Sequence, residues 1–526
     1  MSTTDAPMSR ASDDVPPDDA AAQAPIEIVV VALGAVAVGV VLRFVTRSPL
    51  WLDEALSVNI AKLPLGDIAG ALRHDGHPPL YYFMLHGWID LFGTGDVAVR
   101  ALSGLLAVLA LPLAWFVGRR RGGRLLGWLL VGVLALSPFA LRYATETRMY
   151  ALIVVLVLFG YLVVDDVARR GKDGLVRLSG LAVVSGLLLL SHYWAMWLIG
   201  AVGLVLLWRW RRGPADARRG ALRAALALAA GGLLFLPWLP SFLAQVAHTG
   251  TPWAGSQRPT TVVANTLRDF GGGDFRDAEF VGALILILCL LALFARSLDG
   301  RHIELDLRTR TRFRSEAVIV ALTLGIGIVV MLATNSAYAP RYASVFFPLV
   351  ALLTAGGLTC FASRPVRATV FASFLALCLL GAYWNVTFQR TQGREAANAI
   401  NGTAAPGDIV LFCPDQLGPA FSRSLRTDVD RLVYPTLAAP DRVDWVDYAS
   451  RNRAADPAAV AGEILRRVGE HRVFLVWQGE YRTFEGQCEA LYNALASARP
   501  TGATIVTTGG KRFFEPASVS VFPARP

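Results

Sequence analysis

With 526 residues, 54% of them hydrophobic and only 17% charged, the chain is too apolar for a soluble multidomain protein and has the composition of a polytopic membrane protein. The formal charge of +10 would suit nucleic-acid binding in a soluble chain, but here Lys and Arg collect in short loops between apolar runs, so nucleic acid is excluded as a partner and the bilayer takes its place.

Residues 1–25 are rich in Asp, Ala, Pro and Ser and lack the basic start and small-residue cleavage site of a signal peptide, so they are expected to form a disordered cytoplasmic tail. Apolar runs of membrane-spanning length then begin near Ile26, Ala101, Leu125, Met149, Leu178, Trp194, Leu222, Phe280, Ala317, Ser344 and Arg367, which predicts about eleven transmembrane helices over residues 26–389. Five of the connecting loops, "GRRRGGR", "RRGKDGLVR", "RWRRGPADARRGALR", "RSLDGRHIELDLRTRTRFRSE" and "SRPVR", hold twenty-two Lys and Arg. The alternate loops at 142–148, 191–193, 239–278 and 335–343 hold six. Basic loops stay in the cytoplasm during insertion, so this asymmetry predicts a cytoplasmic N-terminus, an outer segment over 46–100 and an extracytoplasmic C-terminus.

The outer segment contains "HPPLYYFMLHGWIDLFG", apolar enough to pass for a span but interrupted by His86 and Asp90. Counting it as a span would invert every later loop, so it is read, together with "ALSVNIAKLPLGDIAGAL", as amphipathic helix lying in the outer interface. From residue 390 to 526 the texture changes. Short β-type runs ("DIVLFC", "RVFLVWQ", "ATIVTT", "SVSVFPA") alternate with polar-faced helical stretches ("DPAAVAGEILRRVGE", "FEGQCEALYNALAS"), the pattern of a small extracytoplasmic α/β domain. Cys289, Cys360 and Cys378 fall in predicted spans. Cys413 and Cys488 belong to the outer domain, where oxidising conditions permit a disulfide; pairing and two unpaired buried thiols are both open.

This topology places a scattered set of polar residues at outer helix ends. Asp53 and Glu54 follow the first run, with His74, Asp75 and His77 in the same outer segment; "LRYATETRMY" supplies Arg142, Tyr143, Glu146, Arg148 and Tyr150, "SHYW" supplies His192 and Tyr193, and "YAPRYAS" supplies Arg341 and Tyr342. Carboxylates at headgroup depth can act as a general base or hold a cation, and Arg and His beside them can bind a phosphate through charge-assisted hydrogen bonds. Such a set suits a sugar linked to a membrane lipid through phosphate, in which the phosphate is already a competent leaving group. Each member also has a plainer reading: interfacial snorkelling for the three arginines, a structural ion pair for Glu146, membrane-interface anchors for His192 and Tyr193.

"LDEA" after the first run, "HPPLYY" later in the first outer segment, "VRALSGL" opening the second span and "SPFALRYATETRMYAL" across the third and fourth resemble the GT-C glycosyltransferases. Within them, the chain is most similar to the bacterial relatives of protein O-mannosyltransferases and of lipid A aminoarabinose transferase. The resemblance covers residues up to about 390 and is strongest in the first two hundred. It implies an inverting transfer from a polyprenyl-phosphate sugar donor, metal-independent or assisted by a divalent cation such as Mg or Mn. The catalytic base maps onto Asp53 with Glu54 beside it, the second carboxylate onto Glu146, the donor-contacting loop onto His77, Pro78 and Pro79, and late phosphate contacts onto Arg341 and Tyr342. The outer domain lacks the repeats that eukaryotic protein O-mannosyltransferases carry, so the acceptor, whether glycan, lipid or protein, stays open. The Ala- and Arg-rich usage suits a bacterial plasma membrane with mannose or arabinose on the donor. A flippase or transporter of a lipid-linked sugar and a non-catalytic envelope scaffold are the competing readings, although transporters place ionisable groups at the bilayer midplane, often in repeated halves.

Overall fold

In a computed structural model, residues 23–298, 301–309, 311–479 and 481–524 are described. The expected cytoplasmic tail lies outside these residues as far as residue 22. Each of the eleven apolar runs is helical. The first is α1 (Ile26–Leu42). After three short helices, α2 (Leu52–Ala61), α3 (Leu65–Asp75) and α4 (Leu80–Phe92), comes α5 (Asp96–Leu136), which carries two spans separated by non-helical backbone at Gly122 and Gly123, within "GRRRGGR". Further long apolar helices run over Tyr150–Ala168, Arg312–Thr334 and Arg364–Thr387, with shorter ones at Leu175–Leu189, Ala278–Phe294 and Phe347–Leu358. The chain is a multi-pass membrane protein.

At 10, 11 and 13 residues, α2, α3 and α4 are too short to cross a bilayer. They leave Leu65, Phe83, Leu91 and Phe92 exposed while burying Ile60, Ile68, Leu72 and Tyr82 against one another, as helices lying along an interface do. At the opposite pole the basic loops meet. Arg121 and Arg169 converge on Glu316 at 3.0 and 3.1 Å, Arg120 pairs with Asp166 at 3.0 Å, and Arg312 donates to the Arg121 carbonyl. A two-stranded hairpin, β1 (Ala295–Ser297) with β2 (Ile303–Leu305), belongs to one of these loops.

After the last span the chain builds a five-stranded sheet from β3 (Ile409–Cys413), β4 (Asp430–Val433), β5 (Val473–Trp477), β6 (Ala503–Val506) and β7 (Ser518–Phe522), in the order β4-β3-β5-β7-β6. β4, β3 and β5 are parallel; β7 joins antiparallel to β5 and to β6. β4 escapes a reading of apolar runs because it is four residues long and starts at an exposed edge. Helices Pro457–Val468 and Gln487–Ala498 stand where the polar-faced stretches predict, and Asp456 caps the first by accepting from the Ala458 and Ala459 amides. Cys413, closing β3, is disulfide-bonded to Cys488 in the second helix, joining the sheet to the layer that covers it.

Candidate functional site

A cavity of about 1110 Å³ opens where one set of helix ends meets the C-terminal domain. Its lining draws in turn on the loops at one end of the helices: Asp53, Asp75 and His77, then Arg142 and Arg148, then His192 and Tyr193, then residues 249–253 with Arg268 and Asp269, then Arg341 and Tyr342, with Gln416, Trp445, Tyr481 and Glu515 as a roof.

The acidic pair splits because neighbouring helical residues point about 100° apart. Glu54 turns into the protein and is fully buried, accepting from Arg100 Nε at 2.7 Å and Nη2 at 2.5 Å and from the Thr147 amide at 3.0 Å, with Arg390 at 3.6 Å. Burial alone would push its pKa up, but the Arg100 fork and Arg390 outweigh it, and the carboxylate is held below its ordinary range. Asp53 turns the other way, into the cavity. Its Oδ2 faces Arg341 Nη2 at 3.4 Å and has no hydrogen bond.

His77 is delivered by a reversal at Gly76, whose φ of 88° ends α3 in the left-handed region that a side chain resists. Its Nδ1 lies 2.8 Å from Asp75 Oδ2 and its Nε2 lies 2.7 Å from Arg148 Nη2. A guanidinium can only donate, so Nε2 accepts and the ring proton sits on Nδ1, donated to Asp75. The Tyr82 hydroxyl also donates to Asp75 Oδ2 at 2.9 Å. Burial raises the Asp75 pKa, but contacts from His77, Arg148 and Tyr82 more than offset this and keep it ionised. Arg148 is held in turn by Ser57 Oγ at 3.1 Å and the Asp53 carbonyl at 3.4 Å. One side of this guanidinium is thereby fixed while the residue still lines the cavity.

"SPFALRYATETRMY" folds as its residue types dictate. Ser137 caps the helix Pro138–Ala144 by accepting from the Ala140 amide, proline takes the first turn, and the Thr145 hydroxyl closes the far end on the Leu141 and Arg142 carbonyls. The turn that follows packs Glu146 behind the cavity wall. It is 1% exposed, and both its oxygens lack hydrogen bonds. Burial raises its pKa against the pull of Arg390 and Arg142.

The overall arrangement is shared with known structures. ArnT from Cupriavidus metallidurans in the apo state superposes with a TM-score of 0.60 at 14% identity, over 94% of this chain and 97% of that one. The same protein bound to undecaprenyl phosphate gives 0.56 at 15%, over 94% and 97%. The Archaeoglobus fulgidus oligosaccharyltransferase in complex with Zn and sulfate gives 0.50 at 11%, over 85% and 67%. This chain has the GT-C fold. Residues 76–240 match the family described as dolichyl-phosphate-mannose-protein mannosyltransferase, while no curated protein matches the sequence.

This fold brings most of the predicted residues together. Asp53, His77, Arg142, Arg148, His192, Tyr193, Arg341 and Tyr342 line one cavity. Glu54 and Glu146 do not reach it, and Tyr150 instead borders a void of about 20 Å³ beside Arg43 and Ser344. Tyr193 is committed to the protein through Gln245 and the Trp238 indole. His192 accepts the Trp194 amide on Nδ1 and its ring lies tilted against Tyr342 at 5.1 Å; burial and then the charges of His77, Arg148 and Arg341 lower its pKa well below the usual imidazole value. Arg100, Arg390 and Glu515 are absent from the predicted set, and their roles depend on partners far away in sequence. Among the described residues no three His, Cys, Asp or Glu side chains converge as metal ligands, and the free oxygen of Asp53 faces Arg341. These residues do not fit a resident divalent cation, and no step is assigned to one.

Proposed function

We propose that this chain is an integral-membrane glycosyltransferase that moves a sugar, mannose or arabinose, from a polyprenyl-phosphate donor to an acceptor outside the cytoplasm, with inversion. The observation that carries this reading is the placement of Asp53. Of the three predicted carboxylates it is the one on the cavity wall, and it stands beside Arg341 and Arg148. The wall also becomes apolar toward Met196, Trp197, Phe242, Val246 and Val330, with Val246 64% exposed, which suits an isoprenoid tail entering from the bilayer.

In this reading Asp53 takes the proton from the acceptor hydroxyl as its oxygen bonds to the anomeric carbon. The bond from that carbon to the phosphate oxygen breaks, and the electron pair leaves with the phosphate. Arg148, locked by His77 and Ser57, and Arg341, flanked by the Trp51 and Trp253 rings at 5.8 Å each, stabilise the charge that develops on the leaving group. A single displacement from the far face inverts the carbon. Glu54 holds α2 in place from behind, so that Asp53 is presented at the cavity mouth. The working membrane is the bacterial plasma membrane, with the N-terminus cytoplasmic and the C-terminal sheet outside. Residues 26–389 form the catalytic unit and 390–526 a covering domain.

The test is to incubate purified full-length protein in nanodiscs with radiolabelled polyprenyl-phosphate mannose or arabinose and an envelope extract, and to identify the labelled product. Transfer of label from either donor is expected. Intact donor with both sugars, in protein that is folded by thermal melting, rejects the reading.

A further inference from the structure

The roof of the cavity is not used by the transfer chemistry above, yet it contains an unsatisfied acid. Glu515 is 2% exposed, and neither carboxyl oxygen makes a hydrogen bond of normal geometry, although the Thr391 hydroxyl and the Leu52 amide lie close enough to act on it electrostatically. It follows Phe514, whose ring meets Trp51 edge-on at 5.1 Å, so it sits beside the start of α2 and within electrostatic reach of Asp53. Its backbone is fixed by pairing with Arg390 and Gln392. A buried carboxyl left without partners is costly unless a ligand supplies them. Burial holds Glu515 up at about 8, with the Asp53 charge adding to the shift and the nearby Thr391 hydroxyl and Leu52 amide opposing it. At neutral pH it can therefore both donate and accept.

Its neighbours define the ligand class. Tyr481 and Trp445 line the same roof, Trp253 faces them from the outer loop, and Gln416 donates its amide to Tyr448 at 3.1 Å, leaving its carbonyl oxygen free of any such commitment. Aromatic faces with a few fixed polar groups match a ring that has apolar C–H faces and a hydroxylated rim. One common way of holding a peptide, adding it to a strand edge, is not offered here, because no residue of the edge strands β4 and β6 lines the cavity. We propose that this roof is the acceptor subsite and that it takes a saccharide, stacked on Trp253, Trp445 and Tyr481 with its hydroxyls bound by Glu515 and Gln416. The inference rests on the reading of Asp53 as the base, since it places the acceptor hydroxyl between roof and base.

The experiment uses full-length protein in nanodiscs and saturation-transfer NMR with methyl mannoside, mannobiose, octyl mannoside and a Ser/Thr-rich peptide, while undecaprenyl phosphate binding is followed separately by tryptophan fluorescence. A sugar probe should be saturated and the peptide should not. Contact with octyl mannoside alone assigns the sugar to a glycolipid, contact with mannobiose to a free glycan, and either supports the subsite. Glu515→Ala should weaken sugar binding about tenfold or more, Glu515→Gln, which keeps a donor and an acceptor, should stay within about threefold, and undecaprenyl phosphate should bind both variants as it binds wild type. Sugar binding without undecaprenyl phosphate binding would reject the donor reading, and with it the role of acceptor, while leaving the roof as a saccharide site. Silence from every sugar, displacement of a sugar by the peptide, or equal loss of sugar and undecaprenyl phosphate in Glu515→Ala would overturn the proposal.

Discussion

Asp53 and Glu54 are adjacent in sequence and opposite in consequence. Asp53→Asn keeps the shape and removes the proton acceptor, so turnover should fall about 10²- to 10⁴-fold while undecaprenyl phosphate still binds; near-normal turnover would remove Asp53 from the chemistry. Glu54→Gln should fail differently. It sets an amide against the buried Arg100 fork, and breaking a buried pair from one side costs roughly 3–5 kcal/mol, so the loss should appear in thermal stability and folded yield before it appears in rate. A Glu54→Gln protein that melts like wild type but is inactive would return Glu54 to the chemistry. Two acids of the C-terminal domain set a pH dependence. Burial lifts Asp415 to about 7 against its Tyr448 hydrogen bond and Arg451, with Asp444 adding to the rise, and lifts Glu515 to about 8. Such groups keep protons that the unfolded chain has released, so their contribution to stability is complete below the ordinary carboxylate range and is lost as pH rises through about 7 to 8. Melting temperatures followed from acid to mildly alkaline pH should decline less steeply in Asp415→Asn and Glu515→Gln than in wild type, and parallel slopes would contradict the assignment. Asp53 is legible in the sequence because an acid at the mouth of an apolar run has few structural reasons to be there. The partners of Glu54 are not, because Arg100 reads only as the start of the next span, and Glu515 sits in "KRFFEPAS", a stretch with no mark of its own until the sheet carries it over Asp53.

At the level of elements, α1 and the second half of α5 touch backbone to backbone. Arg43, 1% exposed, donates to the Gly39 and Ala135 carbonyls at 2.8 Å each and to Leu134 at 3.0 Å, and a Cβ on Gly39 would lie 2.3 Å from the Ala135 oxygen. Gly39→Val should therefore push the helices apart and cost about 1–3 kcal/mol, seen as a lower melting temperature, whereas Gly34→Val, with nothing within 4 Å, should be silent. Equal effects from both would deny the close contact. The helices themselves were the most legible part of the fold, since a bilayer demands long apolar runs and punishes any exposed backbone between them. The strand β4 was not, because at a sheet edge neither face requires an apolar pattern.

For the whole molecule, the alternation of basic and weakly charged loops corresponds to two poles in space, with Glu316 and its arginines at one and the cavity at the other. A reporter active only outside the cytoplasm should give signal when fused after Pro526 and none from the "GRRRGGR" loop; the reverse would move the cavity to the cytoplasmic face and end the donor reading.

Arg390 bears on how the site is assembled. From the exit of the last span it reaches back to the Thr145 carbonyl at 3.0 Å and hydroxyl at 2.8 Å, while Glu515 pairs with its backbone. Asp53 and Arg148 are thus translated early and the roof last, with most of the spans inserted in between. During synthesis Asp53 and Arg148 stand at the end of their helices as an open shelf, which on the proposed function could meet donor lipid before the wall that seats an acceptor is made. On the proposed function and topology, competence for transfer would arrive as a final step of biogenesis, when the C-terminal sheet has crossed the membrane and settled on helices made hundreds of residues earlier.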